Sequence, residues 1–136
     1  MGNQKTLNTL IVDDDFFSRQ FLKDTLKPHG DVDIAVNGEE TLKAFQTAHQ
    51  KGHPYDLICL DLLMPVMDAP ETLKRIRKIE EEKGIHGLDG VKVVIITGID
   101  DNRSVLDAFN TGCEGYIKKP MDEDKLLKLL NDLGLI

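Results

Sequence analysis

Several classes of protein are excluded by what this sequence lacks. Cys59 and Cys113 are its only cysteines; they form no CxxC pair and no disulfide framework, and a reducing cytosol is the expected compartment. No basic-then-apolar leader opens the chain, and its longest apolar runs, such as Val93 to Ile96, are far too short to span a bilayer, so a soluble, unanchored cytoplasmic protein is expected. Cations are in deficit, with 17 Lys and Arg against 24 Asp and Glu, a net charge of −7 and a pI near 5.0. That balance argues against a clustered basic surface and direct nucleic-acid binding. No GxGxxG follows the first apolar run, which disfavours a dinucleotide fold, and there is neither a solenoid repeat nor a low-complexity segment. The histidines at 29, 49, 53 and 86 have no ligand spacing and read as solvated.

What is present fits one compact domain: 136 residues, 40% of them hydrophobic, are enough for a real core and too few for two ordinary domains. Residues 1–6 read as a frayed start and 7–136 as the domain. Leu7–Val12 is a strand ending in Asp13-Asp14-Asp15. From Phe16 the spacing turns helical, with Phe17, Phe21, Leu22 and Leu26 inward, until Pro28-His29-Gly30. Val32, Ile34 and Val36 alternate as a second strand, and Asn37 caps a helix to Gln50 with Leu42, Phe45 and Ala48 inward. Leu57–Leu60, too short for a helix, is a buried strand that empties through Asp61 into a proline-containing loop. A helix from Ala69-Pro70 to near Gly84 follows, with Leu73, Ile76 and Ile79 inward and Glu80-Glu81-Glu82-Lys83 as a solvated end. Ile85–Gly90 is a loop, and Val91–Ile96 is a central strand delivering Thr97-Gly98. Asp100 or Asp101 caps a helix with Val105, Ala108 and Phe109 inward, Gly115–Ile117 is a fifth strand leading into Lys118-Lys119-Pro120, and Asp122 opens a last helix carrying Leu126, Leu127, Leu130 and Leu133. Five alternating strand–helix units call for an α/β fold, a doubly wound five-stranded parallel sheet with helices on both faces.

The chemistry converges at one end of that sheet. Asp13 and Asp14 close the first strand, Asp61 the third, Thr97 the fourth and Lys119 follows the fifth, so they should share the crevice beyond the carboxyl ends of the strands. Any one of them alone reads as a cap or a solvated charge, as Asp15 and Asp68 still do; Cys59 and Tyr116 alone read as core residues. Convergence from four strands makes the group a site. Two carboxylates about 4 Å apart repel by about 4 kcal/mol at an effective dielectric near 20, so three of them need compensating charge. Lys119 supplies one charge, and an all-oxygen set suits Mg²⁺ as the partner for the rest. An ionised Asp61 could then attack phosphorus to form an aspartyl phosphate, with Lys119 and the Thr97 hydroxyl meeting the phosphoryl oxygens.

Leu10-Ile11-Val12-Asp13-Asp14-Asp15, Asp61-Leu62-Leu63-Met64-Pro65-Val66-Met67-Asp68, Ile95-Ile96-Thr97-Gly98 and Gly115-Tyr116-Ile117-Lys118-Lys119-Pro120 together resemble the signatures of the response-regulator receiver domain of two-component signalling. The resemblance covers nearly the whole chain. It implies a flavodoxin-like sheet in the order 2-1-3-4-5, the order for which a chemotaxis receiver is a standard example. It implies that Asp61 accepts a phosphoryl group from a histidine kinase or a histidine phosphotransfer protein, and that Asp13, Asp14, Asp61 and the Leu63 carbonyl hold Mg²⁺. Lys119 would pair with Asp61 ahead of a cis bond to Pro120, and Thr97 and Tyr116 would form a switch that biases a partner-binding surface on the fourth helix, fifth strand and fifth helix. Such a protein is a phosphoacceptor that assists its own phosphotransfer and dephosphorylation, not a conventional enzyme.

The chain departs from the family pattern at three positions. Ala69 stands where the family usually has glycine, and Leu63 and Ile99 are apolar where the phosphoryl group would be flanked, so slow self-dephosphorylation is expected. The chain stops about where a receiver stops, which leads us to expect a stand-alone regulator, monomeric or weakly dimeric on phosphorylation, that docks on an unidentified protein target or relays phosphate. Arg19 and Lys23 could serve kinase docking or simply face solvent. The competing readings are a haloacid-dehalogenase-like Mg²⁺-dependent phosphatase, suggested by the DxD of Asp13-Asp14-Asp15, and a phosphorylation-independent pseudo-receiver that only binds partners.

Overall fold

The computed structural model describes residues 6–62, 66–98 and 102–136. Strands and helices alternate throughout: β1 Thr9–Val12, α1 Phe16–Leu26, β2 Val32–Ala35, α2 Gly38–Gln50, β3 Leu57–Asp61, α3 Ala69–Glu82, β4 Lys92–Thr97, α4 Asn102–Thr111, β5 Gly115–Lys118 and α5 Glu123–Asp132. Short 3₁₀ turns at Lys27–His29 and Gly87–Asp89 close α1 and precede β4. The five strands form one sheet in the order β2-β1-β3-β4-β5, every pair parallel. This is the doubly wound architecture expected from the alternation of periods.

Successive strand residues point to opposite faces, and both faces are covered, which is why the inner strands are apolar without a break. Leu10, Val12, Ile58, Leu60, Val93 and Ile95 pack against Phe45 of α2 and Leu73 and Ile76 of α3. Ile11, Cys59, Val94 and Ile96 pack on the other face against Leu22 and Leu26 of α1 and Leu126 and Leu130 of α5. Helix starts follow local chemistry: Asp15, Asn37, Asp68 and Asp122 each accept a backbone N–H of the first turn.

Several expected placements differ in the folded chain. Phe17 is not inward but 78% exposed, with Phe16 beside it 59% exposed, because the buried stripe of α1 runs through Ser18, Leu22, Thr25 and Leu26. Phe109 and Tyr116 are 41% and 47% exposed and meet each other edge to face, so Tyr116 is not a core residue. β2 lies at the sheet's edge, where Ala35 is buried and Ile34 and Val36 are exposed, so the alternation of Val32, Ile34 and Val36 marks a flank and not a core face. His49 is half-buried with its ring edge-on to Phe45, not solvated, and burial lowers its pKa. The cap expected at Asp100 or Asp101 lies outside the described residues, as do the side chains of Val105 and Ala108 within α4.

Glu80 departs most from expectation, being buried and not part of a solvated helix end. The Arg77 guanidinium donates to Glu80 Oε1 at 2.8 Å, to the Val91 carbonyl at 2.8 Å, to the Gly112 carbonyl at 2.7 and 3.1 Å, and to both Glu114 oxygens at 2.9 and 3.0 Å. The carboxylates in turn accept backbone N–H groups, Val91 on Glu80 Oε2 and Val93 on Glu114 Oε1, each at 2.7 Å. These bonds tie α3 to the segments that enter β4 and β5, at the amino ends of the strands.

Candidate functional site

At the opposite end of the sheet, β1, β3, β4 and β5 bring Asp13, Asp61, Thr97 and Lys119 together. Leu60 and Asp61 end β3 beside Ile95 and Ile96 of β4, and Thr97 lies opposite Lys118 of β5. The parallel register thus delivers each side chain at the same level. The Lys119 N–H donates to the Thr97 carbonyl at 2.7 Å, fixing the turn after β5, and the Lys119–Pro120 bond is cis.

The Lys119 ammonium lies between two acids. Its Nζ is 3.1 Å from Asp13 Oδ2 and 3.8 Å from Asp61 Oδ2. The closer partner is therefore Asp13, although the resemblance pairs this lysine with Asp61. Asp13 is completely buried, and its other oxygen, Oδ1, accepts the Asp15 N–H at 2.9 Å. Asp61 and Thr97 are also buried, whereas Asp14 is exposed and opens the cluster to solvent. Arg19 is held at the rim: it donates to the Asp13 carbonyl at 3.1 Å, and its guanidinium carbon lies 5.9 Å from the centre of the Phe16 ring.

One carboxylate oxygen from each of Asp13, Asp14 and Asp61 lies within 4.8 Å of the others. Among the described residues three acids face one lysine, an excess of negative charge, and the donors are all oxygen, which fits a hard divalent cation such as Mg²⁺. Both Asp13 oxygens already accept a hydrogen bond, but each has a second lone pair to offer a cation. Asp15 and Asp68, by contrast, cap helices; the Ser18 hydroxyl and then the Ser18 N–H hold the Asp15 carboxyl below its usual range. Leu63 and Ile99, expected beside the phosphoryl group, lie outside the described residues.

The loop after Asp61 carries backbone strain. Val66 has φ 74°, a left-handed conformation that β-branched residues rarely adopt, and it is 71% exposed. Ala69 begins α3 with its side chain completely buried, so the chain accommodates a Cβ at that position. Sequence reasoning found the acids, the hydroxyl and the lysine but missed the Arg19 anchor, whose only sequence signal is its place one turn beyond the acidic cluster.

The model of the response regulator receiver domain matches residues 9–131. The chain is 31% identical over 124 residues to the chemotaxis protein CheY of Bacillus subtilis, covering 90% of this chain and 92% of that protein. It is 33% identical over 127 residues to the probable transcriptional regulator ycf29 of Porphyra purpurea, covering 93% of this chain but only 56% of that protein. Among solved structures, a chain of the CheX–CheY–BeF3–Mg²⁺ complex from Borrelia burgdorferi superposes with a TM-score of 0.80 at 25% identity, over 96% of this chain and 90% of that one.

Proposed function

The chain belongs to the response-regulator receiver family of two-component signalling proteins, and from that premise we propose that Asp61 accepts a phosphoryl group from the phosphohistidine of a histidine kinase or a histidine phosphotransfer protein. The observation that carries this reading is the Lys119 ammonium set between Asp13 and Asp61 at the carboxyl end of the sheet. An Asp61 oxygen attacks phosphorus, the P–N bond to the donor imidazole breaks, and the imidazole nitrogen keeps the electron pair. Lys119 exchanges part of its contact with Asp13 for a phosphoryl oxygen, and the buried Thr97 hydroxyl donates to another.

Asp13, Asp14 and Asp61, with the Leu63 carbonyl, would hold Mg²⁺, which when bound neutralises charge on the phosphoryl oxygens. Thr97 and Tyr116 form the switch. As the hydroxyl is drawn toward the phosphoryl group, the exposed Tyr116 ring leaves Phe109 and turns inward, changing the surface of α4, β5 and α5 that a protein target reads. The protein works in the cytoplasm. Leu63 and Ile99 cannot orient an attacking water, so the aspartyl phosphate is long-lived, and a Leu63→Asn/Ile99→Glu variant loses it sooner.

The test is intact mass after treatment with acetyl phosphate and Mg²⁺, on the wild-type protein and on Asp61→Asn. The expected result is a metal-dependent gain of one phosphoryl group that Asp61→Asn lacks. A folded wild-type protein that gains nothing would overturn the proposal in favour of a pseudo-receiver, and catalytic consumption of the ester would favour a phosphatase.

A further inference from the structure

The edge of the sheet at β2 carries an open groove of about 850 Å³ that the acidic site does not use. Its walls come from both faces of the sheet: Lys23 and Lys27 from α1 and the following turn on one side, Lys43 and Lys51 from α2 and its end on the other. Against these four cations stand only Asp31 and Asp33, and the Asp33 carboxylate already accepts the Tyr55 hydroxyl at 2.7 Å. In a chain of net charge −7 this is a local reversal of sign.

The backbone at this edge is also directional. Among the described residues β2 pairs with β1 alone, and the Asp31 and Ala35 carbonyls accept the Thr9 and Asp13 N–H groups. A parallel ladder alternates, so Val32 and Ile34 turn their N–H and C=O groups away from β1, toward the groove. Val36, next in that series, has its N–H taken by Glu40 Oε1 at 3.1 Å, which limits the open edge to Val32 and Ile34. The Ile34 side chain, 43% exposed, gives an apolar contact beside them.

We propose that this edge is a docking site for an acidic, extended protein segment, which adds a strand outside β2 and places its carboxylates among Lys23, Lys27, Lys43 and Lys51. Successive residues of an added strand point to opposite faces of the sheet, so consecutive Glu or Asp residues reach the α1 and α2 lysines in turn. Charge selects this occupant over a second copy of the chain, because pairing two β2 edges would oppose one set of four lysines to another. The site is independent of the phosphoacceptor reading.

The probe is the fluorescein-labelled peptide Glu-Glu-Val-Glu-Val-Glu-Glu, titrated into the full chain by anisotropy, with amide chemical shifts recorded in parallel. Binding is expected with the largest shifts at Val32 and Ile34. Methylation of alternate peptide nitrogens, which keeps the charge and removes donors, should weaken binding at least tenfold, as should Lys27→Glu/Lys43→Glu. Ile34→Pro removes an outward N–H and the exposed Ile34 side chain, leaves the groups that face β1 in place, a substitution edge strands tolerate, and should weaken binding while leaving the β1 pairing and the melting temperature nearly unchanged. Absence of binding at millimolar peptide, shifts centred elsewhere, or equal binding of the methylated peptide would overturn the proposal. So would sedimentation showing a dimer that Ile34→Pro dissolves, which would make a second copy the occupant.

Discussion

Replacing Arg77 by alanine should destabilise the protein by about 3 kcal/mol, a value that follows from the environment of its partners. Glu80 keeps only 6% of its side chain in solvent, and the Arg77 guanidinium is its sole cationic partner among the described residues. Breaking a buried pair from one side costs about 3–5 kcal/mol, because the remaining charge is stranded. The Arg77 and Glu114 side chains retain 22% and 28% exposure, so water reaches part of the gap and the low end of that range applies. The Gly112 carbonyl loses both its donors as well. In a domain of this size the loss corresponds to a fall in Tm on the order of 10 °C. Arg77→Lys keeps a charge but cannot span Glu80, Glu114 and two carbonyls at once, and should cost about 1.5 kcal/mol. Arg77→Met/Glu80→Leu should recover much of the loss, but the Val91 N–H that donates to Glu80 Oε2 is then orphaned at about 1–3 kcal/mol. Urea unfolding measures all three through the midpoint at constant m. An Arg77→Ala protein within about 0.5 kcal/mol of wild type, or an Arg77→Lys protein equal to wild type, would refute the reasoning.

Other perturbations have equally definite outcomes. A Cβ at Gly38 would run into Thr72 Oγ1 and come within 2.8 Å of Met67 Cβ, and the Thr72 hydroxyl is held by the Asp68 carbonyl, so Gly38→Ala should cost about 2 kcal/mol in the same unfolding assay. Burial pushes the Cys59 thiol up to about 12 from 9.0. Below pH 9 the thiol is protonated in both states and costs nothing; above it only the unfolded chain ionises freely, so stability falls as pH climbs toward 12. Cys59→Ala should lessen the alkaline fall in stability by about 2 kcal/mol at pH 10.5, leaving the part that the raised Cys113 thiol contributes, and an unchanged slope would refute this. If the acidic cluster holds Mg²⁺, the ion at ten times its Kd should raise stability by about 1.4 kcal/mol, and Asp14→Ala should abolish most of that gain in a thermal melt.

The parts of this molecule legible in the sequence are those set by chain order or by neighbours a few residues away. Asp13, Asp61, Thr97 and Lys119 converge because parallel strands present their carboxyl ends at one level, and alternation alone implies that. The caps at Asp15, Asn37, Asp68 and Asp122 are local hydrogen bonds. Burial was less legible, because helical spacing defines a face but not how much of it is covered. Phe17 lies beside the buried stripe of Ser18, Leu22, Thr25 and Leu26 and not on it, and Phe109 and Tyr116 stay partly exposed with their rings edge to face. Glu80 had a signal: it stands seven residues after Leu73 and four after Ile76, on the inward stripe of α3. A run of glutamates disguised it as solvated surface, and Glu114, which shares its Arg77 partner, is distant in sequence.

The two ends of the sheet use different cations, and the difference bears on function. At the amino end a planar guanidinium fills its fork with fixed oxygens and has little freedom to move. At the carboxyl end a point charge stands at 3.1 and 3.8 Å from two of three acids, with its hydrogen bond to Asp13. An ammonium on a flexible stem can change partners with small movements; a bidentate guanidinium would have to break paired bonds to do so. Lys119→Arg should therefore preserve the charge and leave the protein folded, while the wider, more firmly paired head should hinder entry of a phosphoryl group. On the phosphoacceptor reading, uptake from acetyl phosphate measured by intact mass should fall at least tenfold. Wild-type uptake by a stable Lys119→Arg protein would show that the site needs only positive charge, and that the exchange of partners at Lys119 plays no part.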